Sequence, residues 1–207
     1  MRNTKRLILE TALELFSQKG FTAVGIRELC GAVGIKESSV YYHFTNKQEI
    51  FESLLHDFKE IIASMQRNFD SKTKVITGFS EESFIAVGRT YLTNCLLDKR
   101  ILKFIRMLSI EQHVNKEAAK LYQELLFEAP LKKNEKAIEK LIASGCFRDG
   151  DIPYMAEEYY APLFCIFQRY FSSGNVTDEI LKQANERLAA HLRCYFRKYV
   201  RIWRIKQ

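Results

Sequence analysis

The sequence predicts an all-α protein of about nine helices, with a small N-terminal helix-turn-helix domain over residues 1–50 and a larger helical domain over residues 51–207. Three observations predict it. The helix formers Leu, Glu and Lys are frequent, and no stretch sustains the period-two alternation of a half-buried strand. Only three prolines and nine glycines occur in 207 residues, which leaves little chain for loops. Apolar residues recur at helical spacing between recognisable cap and stop residues. At 47% hydrophobic and 28% charged, the composition excludes wholesale disorder.

Asn3 or Thr4 can cap a first helix in which Ile8, Ala12, Leu15 and Phe16 share one face, and Gly20 supplies its left-handed stop. A second, short helix is expected over 26–32, with Leu29 and Val33 inward and Gly25 as a weak cap. Val33-Gly34-Ile35 reads as a tight turn, and a third helix follows over 37–44. Asn46 and Glu49 form a capping-box pattern opening a fourth helix, whose stripe is Ile50, Phe51, Leu54, Leu55, Phe58, Ile61, Ile62 and Met65.

Polar residues around Gly78 mark a loop, after which Ser80 starts a fifth helix carrying Phe84, Ile85, Val87, Tyr91, Leu92 and Cys95. A sixth is expected over 98–113. Asn115 caps a seventh that Pro130 should break or kink and Gly145 should end. Asp151-Ile152-Pro153 opens an eighth, expected to reach Ser173 with a kink at Pro162. Gly174-Asn175 closes it, and Thr177, ahead of Asp178 and Glu179, opens a ninth reaching toward Trp203.

Several function classes lose support. No apolar run approaches the roughly 20 residues that span a bilayer, and Glu10 arrives before any signal-peptide apolar region, so a cytoplasmic protein without membrane insertion is expected. Cys30, Cys95, Cys146, Cys165 and Cys194 show no CxxC spacing, and His43, His56, His113 and His191 are dispersed, so neither disulfides, metal nor cofactor is expected. No nucleophile elbow, HExxH or phosphate loop is present, and no catalytic residue is proposed. The net charge of +7 resides in 187–207, where five Arg and two Lys meet no acid; residues 1–186 sum to zero. Overall basicity therefore carries no argument for nucleic-acid binding.

That argument comes from the first fifty residues. Helix, glycine turn, helix is the geometry that lays one helix across phosphates and sets the next in a major groove. The third helix suits the groove because Ser38 and Ser39 are short and Tyr41, Tyr42 and His43 are planar, so they can meet base edges or phosphate oxygens. Val40 and Phe44 suffice for its buried side. Tyr41 can serve either in packing or as a phosphate-bonding hydroxyl, and Arg27 either on a phosphate or paired with a neighbouring acid. Lys47, at the first turn of the fourth helix, can hold a phosphate or stay solvated.

The segments Gly20-Phe21, Ile26-Arg27-Glu28-Leu29, Val33-Gly34-Ile35, Ser39-Val40-Tyr41-Tyr42-His43-Phe44 and Lys47-Gln48-Glu49-Ile50-Phe51 resemble the N-terminal domain of the TetR family of transcription regulators. The resemblance implies a homodimer on the palindromic operator of double-stranded DNA, with a C-terminal domain that binds a small-molecule effector. It further implies DNA contacts from Ser39, Tyr41, Tyr42, His43 and Lys47. Val24 and Gly25 stand where the family often has hydroxyl residues, and Lys36 replaces a usual Ser cap; Lys36 cannot accept from an amide but can reach a phosphate.

In the larger domain, Phe84, Phe104, Tyr122, Phe127, Tyr160, Phe164 and Phe167 are candidates to line an effector pocket, or to be plain core. The last two long helices are the candidates for dimerisation. On the ninth, Leu188, Leu192, Tyr195, Tyr199 and Trp203 form one stripe and Arg193, Arg197, Arg201 and Arg204 another, the latter expected to be solvated. A DNA-binding architectural or division-control protein of the same fold, lacking any ligand, is the alternative function, which a filled second core would favour; an all-helical enzyme is a third reading that no motif supports.

Overall fold

Cap chemistry sets the helix starts. In a computed structural model, which describes residues 4–73, 78–93, 97–172, 174 and 176–201, the helices are α1 (Thr4–Lys19), α2 (Ile26–Val33), α3 (Glu37–His43), α4 (Lys47–Thr73), α5 (Glu81–Tyr91), α6 (Lys99–Glu111), α7 (Lys116–Gln123), α8 (Ala129–Ala143), α9 (Ile152–Phe171) and α10 (Asp178–Tyr199). Ser80 and Ser83 close a reciprocal capping box ahead of α5. Asp98 accepts from the amides of Arg100 and Ile101, Asn115 from Glu117 and Ala118, Asp151 from Tyr154 and Thr177 from Ile180. Each satisfies amide donors that a first helical turn leaves unpaired. Asn3, Cys95, Ser173, Asn175, Trp203 and Arg204 lie outside the described residues.

Pro130 does not break the chain's helical course. A π turn, Glu124–Glu128, joins α7 to α8, and Pro130 sits in the first turn of α8, where a missing amide costs least. An α-helix would direct the amide of residue 130 to the Leu126 carbonyl; that carbonyl instead accepts the Tyr160 hydroxyl at 2.7 Å. Pro162 is carried inside α9. Before α4, Asn46 accepts from the Glu49 amide as expected, while the Glu49 carboxylate accepts from Thr45 rather than from Asn46.

The chain packs as two compact units that do not follow chain order: one holds residues up to Asn68 with Asp98–Tyr122, the other Phe69–Leu97 with Gln123 onward. In the first, α1, α2, α3, α4 and α6 bury Ile8, Phe16, Val24, Leu29, Val40, Phe44, Phe51, Phe58 and Phe104. Phe21 bridges Phe16 and Phe51 at centroid distances of 5.4 and 4.6 Å, and Phe58 stacks on Phe104 at 4.5 Å. Gly20 ends α1 at φ 84°, where a Cβ would also lie 2.7 Å from Glu111 Oε1 and 2.8 Å from Ile110 Cγ2.

The second unit gathers Ile138, Phe147, Met155, Ala156, Tyr195, Phe196 and Tyr199 into one core, with Phe84 stacked parallel to Tyr195. An isolated antiparallel bridge pairs Phe147 with Val200 beyond α10. The stripe Leu188, Leu192, Tyr195 and Tyr199, expected to face another subunit, is buried within the chain itself. Leu192 packs against Gly88 so closely that a Cβ there would lie 2.3 Å from its Cδ1. The basic stripe is paired rather than simply solvated: Arg193 and Arg197 both bond Glu81, at 3.0 and 2.7 Å, and Arg201 bonds Asp149 at 2.9 Å. What α9 and α10 leave exposed is the opposite face, including Ala161, Cys165, Ala190 and Cys194.

Candidate nucleic-acid interface and cavity

Gly34, at φ 77° and ψ 35°, turns the chain between α2 and α3, and the amides of Gly34 and Ile35 both bond the Cys30 carbonyl. α3 is fastened by Val40 and Phe44, 1% and 2% exposed. Its other side carries Lys36, Ser38, Tyr41 and Tyr42 into solvent, with Ser39 and His43 half-buried. Tyr42 is 84% exposed and meets His43 edge to face at 4.9 Å. Two adjacent exposed tyrosines on one short helix are an apolar surface that water does not favour and a partner can cover.

Arg27 bonds Glu37 at 3.2 Å with its own side chain 92% exposed. Such a pair contributes little, so Arg27 can leave Glu37 for a phosphate at small cost. The Glu28 carboxylate, its other acidic neighbour, bonds Lys19. Neither Gly25 nor Lys36 makes a side-chain cap, so the amides opening α2 and α3 keep no hydroxyl partner there.

Lys47 points inward. Its ammonium donates to the carbonyls of Phe21 (2.8 Å) and Val24 (2.9 Å), approaches that of Thr22 at 3.5 Å and lies 4.3 Å over the Phe21 ring. Three carbonyls match the three donors of an ammonium. Burial holds its pKa below the usual lysine range, with the Glu111 carboxylate opposing. Glu111, at the end of α6 and 2% exposed, accepts from both the amide and the hydroxyl of Thr22 at 3.2 Å. The turn between α1 and α2 is thus gripped by a cation and a buried anion. Glu111 was findable from sequence: with Phe104, Met107 and Leu108 it occupies the apolar phase of α6, where an acid needs a partner.

The second unit encloses a cavity of about 610 Å³. Of the expected lining residues it takes Phe84 and Tyr160. Phe104 stacks on Phe58 in the first unit, which also holds Tyr122. Phe127 and Phe164 pair with each other at 5.0 Å, and Phe167 is 2% exposed. Sequence reading missed Phe79, Phe147, Tyr159 and Tyr195, which line the cavity. Tyr195 donates to the Met155 carbonyl at 2.9 Å. Burial alone pushes the Tyr159 phenol up to about 12, so it stays a protonated donor at neutral pH.

A sequence profile described as bacterial regulatory proteins, tetR family, matches residues 8–54. The chain is 25% identical over 156 residues to the HTH-type transcriptional repressor KstR2 of Mycolicibacterium smegmatis, covering 71% of this chain and 70% of that protein. It is 29% identical over 123 residues to the biofilm operon icaADBC negative transcriptional regulator IcaR of Staphylococcus epidermidis, covering 58% of this chain and 62% of that one. A TetR family transcriptional regulator from Pseudomonas syringae pv. tomato shares the fold with a TM-score of 0.64 at 18% identity, over 97% of this chain and 99% of its own.

Proposed function

We propose that the chain is a DNA-binding transcription regulator of the TetR family of bacterial regulatory proteins, a repressor released from a palindromic operator when a small molecule fills the cavity of the second unit. Residues 1–50 read the DNA; residues 51–207 carry the effector and dimer functions. The observation that carries the reading is the surface of α3, where Tyr41 and Tyr42 stand in solvent beside Ser38 and Lys36 while Val40 and Phe44 anchor the helix from beneath. Ser39, His43 and Arg27 complete the reading surface, and Lys47 holds the turn behind it.

An open cavity of about 610 Å³ supports a ligand-responsive regulator over an architectural protein with a filled core. The homodimer forms through the exposed faces of α9 and α10, whose small residues Ala161, Cys165, Ala190 and Cys194 permit close helix approach. Among the described residues no helix is long and apolar enough to cross a membrane, and the regulator works in the cytoplasm, where its operator lies.

Selection from randomised duplexes tests the reading. The purified chain should enrich a two-fold palindrome whose half-site centres lie about 34 Å apart or a multiple of it. No enrichment above random DNA would remove the proposal. Labelling kinetics of Cys165 and Cys194 test the dimer face: both thiols should be slow in the concentrated protein and fast on dilution below the dimer's dissociation constant.

A further inference from the structure

The polar groups that line the cavity of the second unit are not equally occupied. The Tyr160 hydroxyl donates to the Leu126 carbonyl and that of Tyr195 to the Met155 carbonyl. Ser144 donates to the Leu141 carbonyl, and Ser83 is held in the cap of α5. Tyr159 on α9 differs: among the described residues its hydroxyl has no hydrogen-bond partner. Nor is that hydroxyl sealed off, because among the described residues no side-chain oxygen or nitrogen closed to water lacks a partner. Burial keeps the phenol protonated, and its ring is walled by Phe84 and Tyr195 at 5.9 and 5.3 Å, which line the same space. A deep hydroxyl open to a water-sized space, on a residue that lines the cavity, meets that cavity.

We propose that the effector is an aromatic carbonyl compound whose buried end presents an uncharged oxygen acceptor to the Tyr159 hydroxyl; this rests on the cavity being the effector site. The rings of Phe79, Phe84, Phe147 and Tyr195 favour offset or edge-on contact with a flat ring system. A carbonyl satisfies the phenol proton, which has greater need of a partner than the phenol oxygen, whose lone pair is shared with its ring. The hydrogen bond fixes which end of the ligand enters. An acidic end is disfavoured: on the α8 wall Lys133 already has a partner, Lys140 is exposed and Asn134 is uncharged, so the described lining offers it no enclosed cation. A cationic end fares no better, since no Asp or Glu is among the described lining residues. One hydrogen bond from a phenol recovers less than the desolvation of an ion costs.

Three fluorescent dimethylaminonaphthalenes of nearly one shape, bearing an acetyl, an isopropyl or a carboxylate group at the same position, isolate the acceptor. The purified chain should bind the ketone roughly tenfold more tightly than the carboxylate. Tyr159→Phe, which keeps the ring and its packing, should weaken the ketone about fivefold, the scale of one neutral hydrogen bond, and leave the isopropyl probe unchanged. Emission of the bound ketone should also move to the blue in that variant, because a hydrogen-bonded carbonyl emits further to the red. Val87→Trp on α5, or Leu141→Trp on α8 if the first melts early, fills the cavity and should exclude both neutral probes. A ketone that loses no more affinity than the isopropyl probe in Tyr159→Phe, or a carboxylate bound as tightly as the ketone, would overturn the acceptor proposal. Exclusion of the neutral probes by tryptophan would then leave the cavity reading standing. Binding that neither tryptophan affects, or no binding of any probe, would overturn both.

Discussion

Tyr42 and Tyr159 are the same residue put to opposite uses. On α3, Tyr42 stands 84% exposed and faces solvent; in the second unit Tyr159 is walled by the rings of Phe84 and Tyr195 and lines the cavity. The first surface is convex and rigidly backed, because Val40 and Phe44 fix the helix while its polar side stays open. The second is concave, built by aromatics that fail to fill the volume they surround. On the proposed function the first meets a large polyanion and the second a small ligand, so the difference teaches where packing stops short: outside α3 and inside the second unit.

Substitutions can break this comparison. The largest effect is expected from Leu192→Glu, which buries a charge at a fully enclosed position against Gly88. It should destabilise the second unit by more than about 4 kcal/mol, read by urea unfolding; a folded monomer instead would return Leu192 to the subunit interface. Lys47→Met comes next, costing about 2–3 kcal/mol through the carbonyls it orphans. Affinity for operator and random DNA should fall together through loss of the turn, yet the salt slope of random-DNA binding should hold. A slope lowered by about 1 per subunit would make Lys47 a phosphate contact after all.

Smaller effects sharpen the contrast. Tyr42→Ala should leave the unfolding free energy within about 0.5 kcal/mol of the parent and still weaken operator binding by about 1 kcal/mol per half-site, the scale of one lost contact. If stability falls instead, α3 is less firmly anchored than its two buried residues suggest. The smallest effect concerns pH. His191 bonds the Tyr159 carbonyl, and burial first of all lowers its pKa from 6.5. The folded state therefore binds fewer protons than the unfolded one below pH 6.5, so stability is full above that value and declines as pH drops through the window beneath it. Melting temperature should fall from neutral to mildly acid buffer, and His191→Gln should flatten that fall.

Local chemistry was readable in the sequence; enclosure was not. Ser80, Asp98, Asn115, Asp151 and Thr177 each open a helix where their side chains can accept from orphan amides, because a cap acts within three residues. The α3 surface was readable for the same reason, since Val40 and Phe44 sit four apart and leave the rest outward. Lys47 was misplaced because its partners, Phe21 and Val24, lie more than twenty residues away. The cavity failed harder: Phe104 and Phe84 both lie on the apolar stripe of their own helices, and only tertiary packing sends one against Phe58 and the other to an open wall. The Leu192 stripe misled likewise, as periodicity shows that a face is covered without saying by what.

Two glycines described above set different limits on how this sequence can drift. At Gly88 the obstacle is the reach of one leucine, so an alanine there becomes tolerable once Leu192 shortens, and the two positions should change together among homologues. At Gly20 two obstacles coincide: the backbone is left-handed, and the space a side chain would enter is held by Glu111 and Ile110. Trimming the neighbours removes only the second. No single compensating change elsewhere rescues Gly20, which should make it one of the slowest sites in the chain to diverge while Gly88 wanders with its partner.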